Sequence, residues 1–271
     1  MVGPVVCVEC QTSIDKDDAF CRSCGAAQET QSVAPTPVTS RKVKWRTAGG
    51  RGLHDLAGRS VDEIVAYLGS NPVVISVFQQ VGARGPGVYA IFGSSEVWVE
   101  LGLGAPPDSR PLYVGKHETD AARRLTREHF AFGYTNVRRP VTSISSFRRS
   151  LAGLLRDSWG IRGIPRYPGK ASLSTADLNG FGLATPEQEE RLTGWMRGNL
   201  SVTAWIPDPE SVPEEERVRI VEPLEKEIEE VLRPACNVDK GDPITEWTVA
   251  VAAGRKAMRG DARRWSEKHR P

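Results

Sequence analysis

Apolar and polar positions along the chain fall into short periodic runs separated by Gly- and Pro-rich breaks. Val61, Ile64, Val65 and Leu68 recur at helical spacing behind Ser60. Glu63 stands three residues after Ser60, the spacing of a capping box, so a helix is expected there, with Gly69 stopping it. Residues 72–78, PVVISVF, read as a short strand or buried segment. After Gly85-Pro86-Gly87 the run VYAIF is β-type, and EVWVELGL at 96–103 is expected to form another strand. APPDSRP at 105–111 reads as a loop, LYVGK at 112–116 as a strand entering a glycine turn, and AARRLTREHF at 121–130 as a helix. In the acidic segment 214–233, Val218, Val221, Leu224, Ile228, Val231 and Leu232 mark one apolar helix face, ended by Pro234. No internal repeat interrupts this order.

The 271 residues are enough for one large domain, or a core domain with a small appendage. No apolar run is long enough to span a membrane, so no membrane partner is expected. The opening MVGPVVCVEC lacks the basic and apolar regions of a secretory signal. A cytoplasmic protein is expected.

Four of the five cysteines form C-x2-C-x10-C-x2-C: Cys7, Cys10, Cys21 and Cys24. Each pair gives two thiolates from one tight turn, and a hairpin between the pairs would close a tetrahedral zinc site. Disulfides are disfavoured without a secretion signal, and a redox pair would sit in a βαβ pattern, which is absent. With few apolar residues, this segment would draw its folding free energy from the metal, on the order of 10 kcal/mol or more. It resembles the short bacterial zinc ribbons, which bind nucleic acid or protein. Two basic residues against four acidic ones weigh against phosphate binding by the ribbon itself. Polar, Pro-rich residues follow it and read as a linker.

The net charge of +2 conceals a segregation. Residues 121–170 carry eleven Lys/Arg and two Asp/Glu, net +9; residues 187–230 carry five and thirteen, net −8; residues 255–271 carry seven and two, net +5. Arg dominates the first region and suits bidentate phosphate contacts. Such regions can track a nucleic-acid backbone, or pair with the acidic helix.

Gly87-Val88-Tyr89 and Tyr113-Val114-Gly115-Lys116 together resemble the two halves of the GIY-YIG nuclease signature. The family's R-L-R-x-H run is resembled, with one extra residue, by Arg124-Leu125-Thr126-Arg127-Glu128-His129. Its later Glu and P-x-x-N ending are resembled by Glu225 and, twelve residues on, by Asn237 in Pro234-Ala235-Cys236-Asn237. The resemblance covers roughly residues 85–240, with two departures. Tyr89 and Tyr113 are 24 residues apart, about twice the family's spacing, and about a hundred residues separate Arg124 from Glu225. The added stretches include SSFRRSLAGLL and GIPRYPGK, as in larger, restriction-enzyme-like members.

The resemblance implies an α/β (α+β) fold, a small, mainly antiparallel sheet flanked by helices, behind the zinc ribbon. The expected layout is a ribbon at 1–28, a flexible linker at 29–45, a nuclease domain with insertions at 46–245, and a basic helical tail at 246–271. The implied activity is metal-dependent endonuclease action on DNA. Glu225 would hold a catalytic Mg²⁺ or Mn²⁺ as its single carboxylate, and Arg124, with Arg123 as the alternative register, would stabilise the phosphate. Tyr89 would activate the attacking water and Tyr113 orient it. An ordinary tyrosine is too weak an acid for this unless cations such as Lys116 and Arg124 lower its pKa. His129 would assist as base or phosphate contact, and Asn237 would brace the site. Arg123, Arg127, Arg148 and Arg149 are the expected nucleic-acid contacts, and the ribbon is a surface for a protein partner. The alternative is a non-catalytic binding or scaffolding module on the same fold. Outside this set, Trp195, Trp205 and Cys236 read as core, and His54, His117 and His269 show no partner in the sequence.

Overall fold

In a computed structural model the chain divides into two units, Met1–Ala48 and Gly49–Pro271. The described residues are 5–6, 13–14, 59–81, 84–106, 108–134, 139–170, 172–238 and 242–269. In the first unit Val5–Val6 (β1) and Ser13–Ile14 (β2) pair antiparallel, Val5 opposite Ile14. Cys7, Cys10, Cys21 and Cys24, the linker and His54 lie outside the described residues.

The second unit opens with α1 (Val61–Ser70), held by the expected capping box: Ser60 Oγ accepts from Glu63 N–H, and the Glu63 carboxylate accepts from Ser60 N–H at 2.6 Å. Then come β3 (Val73–Val74), α2 (Ile75–Val81), β4 (Gly87–Gly93), α3 (Ser95–Glu100), β5 (Tyr113–His117) and α4 (Ala121–Arg123). A π-helical segment, Arg124–His129, continues α4, and a 3-10 turn, Val141–Ile144, leads into α5 (Ser146–Leu154). The chain ends through β6 (Gly163–Ile164), α6 (Thr175–Asn179), β7 (Gly182–Leu183), α7 (Pro186–Asn199), β8 (Leu200–Trp205), α8 (Glu214–Leu232) and α9 (Glu246–Lys268). Mixed helix and strand with a small antiparallel sheet is the architecture expected.

That sheet has the order β3-β8-β4-β5, every pair antiparallel. Alternation along β4 splits its side chains between two cores. Val88, Ala90 and Phe92 join Val114 and Trp205 under α1 and α8; Tyr89 and Ile91 face the larger core built with α2, α3, α5, α7 and α9. All six residues from Gly87 to Phe92 are buried, which explains the continuous apolar run.

Three expectations need correction. Residues 96–103 are not a strand. Ser94 caps a helix, and Val97, Trp98 and Leu101 are buried together at helical spacing, while Val99, which strand alternation would place beside Val97, is 60% exposed. Residues 72–78 divide into β3 and the start of α2. On α8, Val218 and Val231 are exposed; the buried stripe is Ile220, Val221, Leu224 and Ile228. The helix ends where Arg233 turns left-handed (φ 46°), one residue before Pro234. Residues 246–268 form a helix, as expected, and it packs against the rest of its unit. Val251, Met258 and Ala262 are fully buried, Gly254 lies against the backbone of Gly153 on α5, and Asp261 takes a bidentate grip from Arg156 at 2.8 and 3.0 Å.

Candidate active site

The β4–β5 ladder sets Tyr89 opposite Gly115 and Ile91 opposite Tyr113. The longer connection between these strands carries α3 and leaves the pairing intact. A Cβ on Gly115 would lie 2.6 Å from Tyr89 Oη and 2.8 Å from Tyr113 Cε1. The missing side chain at 115 is therefore the space in which the Tyr89 phenol lies. The two tyrosine rings are 6.4 Å apart, and each is 5.5 Å from the imidazole of His129. Phe147 closes the far side, 5.2 Å from Tyr113.

The π-helical segment accounts for the extra residue between Arg124 and His129. In a regular α-helix residues five apart point about 140° away from each other. Here the ladder widens: Phe130 N–H donates to Leu125 O at 3.0 Å, an i→i+5 bond. One inserted residue is absorbed in a wider turn, and both side chains keep to the site. His117 helps seat the segment, its Nδ1 accepting from the N–H groups of Thr119 (3.2 Å) and Asp120 (2.9 Å). It therefore has partners, as does His269, whose Nδ1 lies 2.8 Å from Trp265 O.

Tyr89 Oη lies 2.7 Å from His129 Nε2, and His129 Nδ1 lies 2.6 Å from Ser145 Oγ, all three groups buried. Ser145 Oγ caps α5, accepting Arg148 N–H at 3.1 Å, and the one acceptor for its own proton among the described residues is His129 Nδ1. The neutral ring carries one proton, so it donates to one of Ser145 Oγ and Tyr89 Oη and accepts from the other. Burial, helped by Arg124, Arg148 and Arg149, pushes the His129 pKa well below its usual 6.5, so the ring is neutral. Burial pushes the Tyr89 phenol well above its usual 10; Arg124 opposes this by its charge and as a donor, while Glu225 and Glu118 reinforce it.

Glu225 is half-buried on α8. Burial first, then Asp242, Glu118 and Glu222, raise its pKa to about 7 against the pull of Lys116. No hydrogen bond or ion pair engages its carboxylate among the described residues. Lys116, on the sheet face that α8 covers, pairs with Glu118 and reaches Glu222 at 3.9 Å. Burial alone would depress its pKa, but these carboxylates and Glu225 raise it. Asn237 replaces a missing strand neighbour for β5: its Oδ1 accepts Val114 N–H at 3.0 Å, and its Nδ2 donates to Val114 O at 2.8 Å and to Glu229. Cys236 is buried beside it, its N–H donating to Leu112 O at 2.7 Å.

The structure thus brings Tyr89, Tyr113 and His129 into contact, with Arg124 and Glu225 in electrostatic reach of Tyr89, Lys116 in reach of Glu225, and Asn237 bonded to Val114 next to Tyr113. Arg124 also pairs with Glu128. Arg123 and Arg127 are exposed on the same segment, and Arg149 is half-buried. Arg148 is a correction. It is wholly buried, and its guanidinium is spent on His129 O, Glu189, Thr142, Thr193 and Met196. A buried structural ion pair, not a nucleic-acid contact, is its role. Sequence reasoning missed Ser145, Glu118 and Glu229. Glu229 had a signal, standing one helical turn beyond Glu225; Ser145 had only its capping position.

Among the described residues no three His, Cys, Asp or Glu side chains form a metal cage, and no helix is long and apolar enough to cross a membrane. The chain matches no family model, no curated protein and no solved structure.

Proposed function

We propose that the protein is a metal-dependent endonuclease that hydrolyses phosphodiester bonds in DNA, with a site of the GIY-YIG kind. The observation that carries this reading is the convergence on one phenol oxygen. Tyr89 Oη is hydrogen-bonded to His129 Nε2 at 2.7 Å, while Arg124 and Glu225 both act on its charge.

Glu225 fits a hard divalent cation such as Mg²⁺ or Mn²⁺. Its carboxylate is unengaged among the described residues, and burial, reinforced by surrounding carboxylates, drives it toward protonation, a bias that a bound cation would oppose. The cation would neutralise charge on the phosphoryl and leaving oxygens. The protein's own groups do the rest. Arg124 stabilises the phosphoryl oxygens as charge develops. Tyr89 orients the attacking water and takes its proton, the charge and hydrogen bond of Arg124 opposing the burial that holds the phenol protonated. Tyr113 fixes the ring geometry, and Lys116 adds positive charge at the same edge. We read the first unit as a zinc ribbon, with Cys7 and Cys10 falling in sequence between β1 and β2.

The test is incubation with supercoiled plasmid and Mg²⁺ or Mn²⁺ beside Glu225→Ala. Nicking or linearisation lost in the variant is the expected result. Cleavage that persists in the variant would remove Glu225 from the site, and a wild type that binds DNA without cutting it would favour the binding-module alternative.

A further inference from the structure

We propose that the inserted segment 139–180 carries a second phosphodiester-binding cradle, made by Arg139, Arg149 and Arg166 around Ser143, beside the tyrosine–histidine centre. The nuclease reading supplies only the identity of the ligand, a DNA strand whose flanking phosphate would sit here.

Three guanidiniums converge on one residue. Arg139 Nε lies 3.3 Å from Ser143 Oγ, while Arg149 Nη1 and Arg166 Nη2 lie 3.0 and 3.1 Å from Ser143 O. Sharing one neutral acceptor, the last two face each other at close range, a like-charge crowding that an anion would relieve. Nearby carboxylates are already committed. Glu189 accepts from Thr142, Leu183 and buried Arg148, and Asp177 from Lys170 and Ser174. No Asp or Glu pairs with Arg139 or Arg166 among the described residues.

Two further observations point to a ligand. Arg166 Nε is buried without an acceptor among the described residues. Its guanidinium also lies against Gly180, where a Cβ would come within 2.6 Å of Nε and 2.8 Å of Cζ and Nη2. Gly180 has φ −86°, so the backbone does not ask for glycine there. The missing side chain is room for the guanidinium.

The cradle adjoins the reaction centre. Ser145, whose Oγ holds His129 Nδ1 at 2.6 Å, donates its N–H to Thr142 O in the turn that carries Ser143. Arginine forks match phosphate oxygens in geometry and charge. Phosphate contacts set the position of a strand without reading its sequence, so the cradle would hold register while the tyrosine centre cuts.

The experiment measures binding of a labelled DNA duplex by fluorescence anisotropy in EDTA, between 50 and 200 mM NaCl. Arg166→Ala removes the guanidinium; Gly180→Ala displaces it by touching only the end of a flexible side chain. Arg219→Ala, an exposed arginine paired with Glu216 on α8, controls for loss of one charge. Each cradle variant is expected to flatten the slope of log Kd against log salt by about 0.9, so that its weakening is about threefold larger at 50 than at 200 mM. The control should keep the wild-type slope. A protein that nicks plasmid while both cradle variants keep that slope loses the cradle and remains a nuclease. One that binds with flattened variant slopes but never cuts keeps the cradle and loses the nuclease reading. A wild type with no salt-sensitive binding loses the cradle.

Discussion

Replacing Gly115 with alanine adds one methyl group at the point where the proposed chemistry depends on an empty volume. The new Cβ would stand 2.6 Å from Tyr89 Oη, 2.7 Å from Cζ and 2.8 Å from Tyr113 Cε1. Comfortable contact begins at about 3.5 Å, so the phenol must retreat by roughly 0.9 Å. Tyr89 is 1% exposed and flanked by Ile91 and Tyr113, so the retreat also disturbs core packing. A displacement of that size lengthens the 2.7 Å bond to His129 Nε2 beyond good hydrogen-bond range. Overpacking of this kind costs about 1–3 kcal/mol, and the stiffer unfolded chain returns about 0.4–1 kcal/mol. The net loss expected is about 1–2 kcal/mol, read as a lower urea midpoint at unchanged m value. Misplacing the phenol by nearly 1 Å should lower plasmid cleavage by on the order of 100-fold. Tyr89→Phe provides the comparison, since it removes the hydroxyl and leaves the strand unstrained. Gly115→Ala protein with the wild-type midpoint and full cleavage would refute the placement of the ring over residue 115.

Three further outcomes are expected. Glu225, with its pKa raised to about 7 from the usual 4.5, holds a proton in the folded chain that the unfolded chain has released. Its contribution to stability is therefore full below about pH 4.5 and is lost as pH rises through 7. In EDTA this should cost wild type about 1–3 kcal/mol across that window relative to Glu225→Gln, and parallel pH profiles of urea midpoints for the two proteins would reject it. Arg148→Met strands Glu189 without its buried cation and should cost about 3–5 kcal/mol, with part recovered by adding Glu189→Gln; a loss under about 1 kcal/mol in equilibrium unfolding would rule out a tight buried pair. Asn237→Asp turns two donors into acceptors facing Val114 O and Glu229, so it should lower Tm by about 5–15 °C, more than Asn237→Ala; the reverse order in a thermal melt would count against the bonds assigned to Nδ2.

What the sequence disclosed follows the range of the forces involved. The capping box at Ser60, the strands at Gly87–Gly93 and Tyr113–His117 and the helix ending before Pro234 are set by neighbours in the chain, and each was legible. Residues 96–103 misled because Val97, Val99 and Leu101 alternate like a strand, yet Trp98 needed a buried position against Trp247, which lies far along the chain. Arg148 misled for the same reason. Arg148 and Arg149 are adjacent and alike in sequence, but one helix residue faces the core and its neighbour the rim. Only α7, supplying Glu189 and Thr193, decides which of them is buried.

The same logic explains how the proposed site can be assembled from loosely spaced residues. A 24-residue gap between the tyrosines is harmless because the β4–β5 ladder, not the connection, sets their separation. The extra residue before His129 is harmless because an i→i+5 turn absorbs it. The long insertion before Glu225 is harmless because β8 returns to the sheet beside β4, and α8 then packs over β4 and β5. Asn237 fixes the far end of that return by hydrogen bonding Val114 at the middle of β5. What the insertion adds, α5, the β6–β7 pair and α7, lies next to His129 through Ser145 and Arg148. A segment that only lengthened a loop would have no reason to carry a buried ion pair against the backbone of a site histidine. Its position ties these elements to the proposed reaction centre, so truncating them should disorder His129 even though every residue of the proposed site remains in the chain.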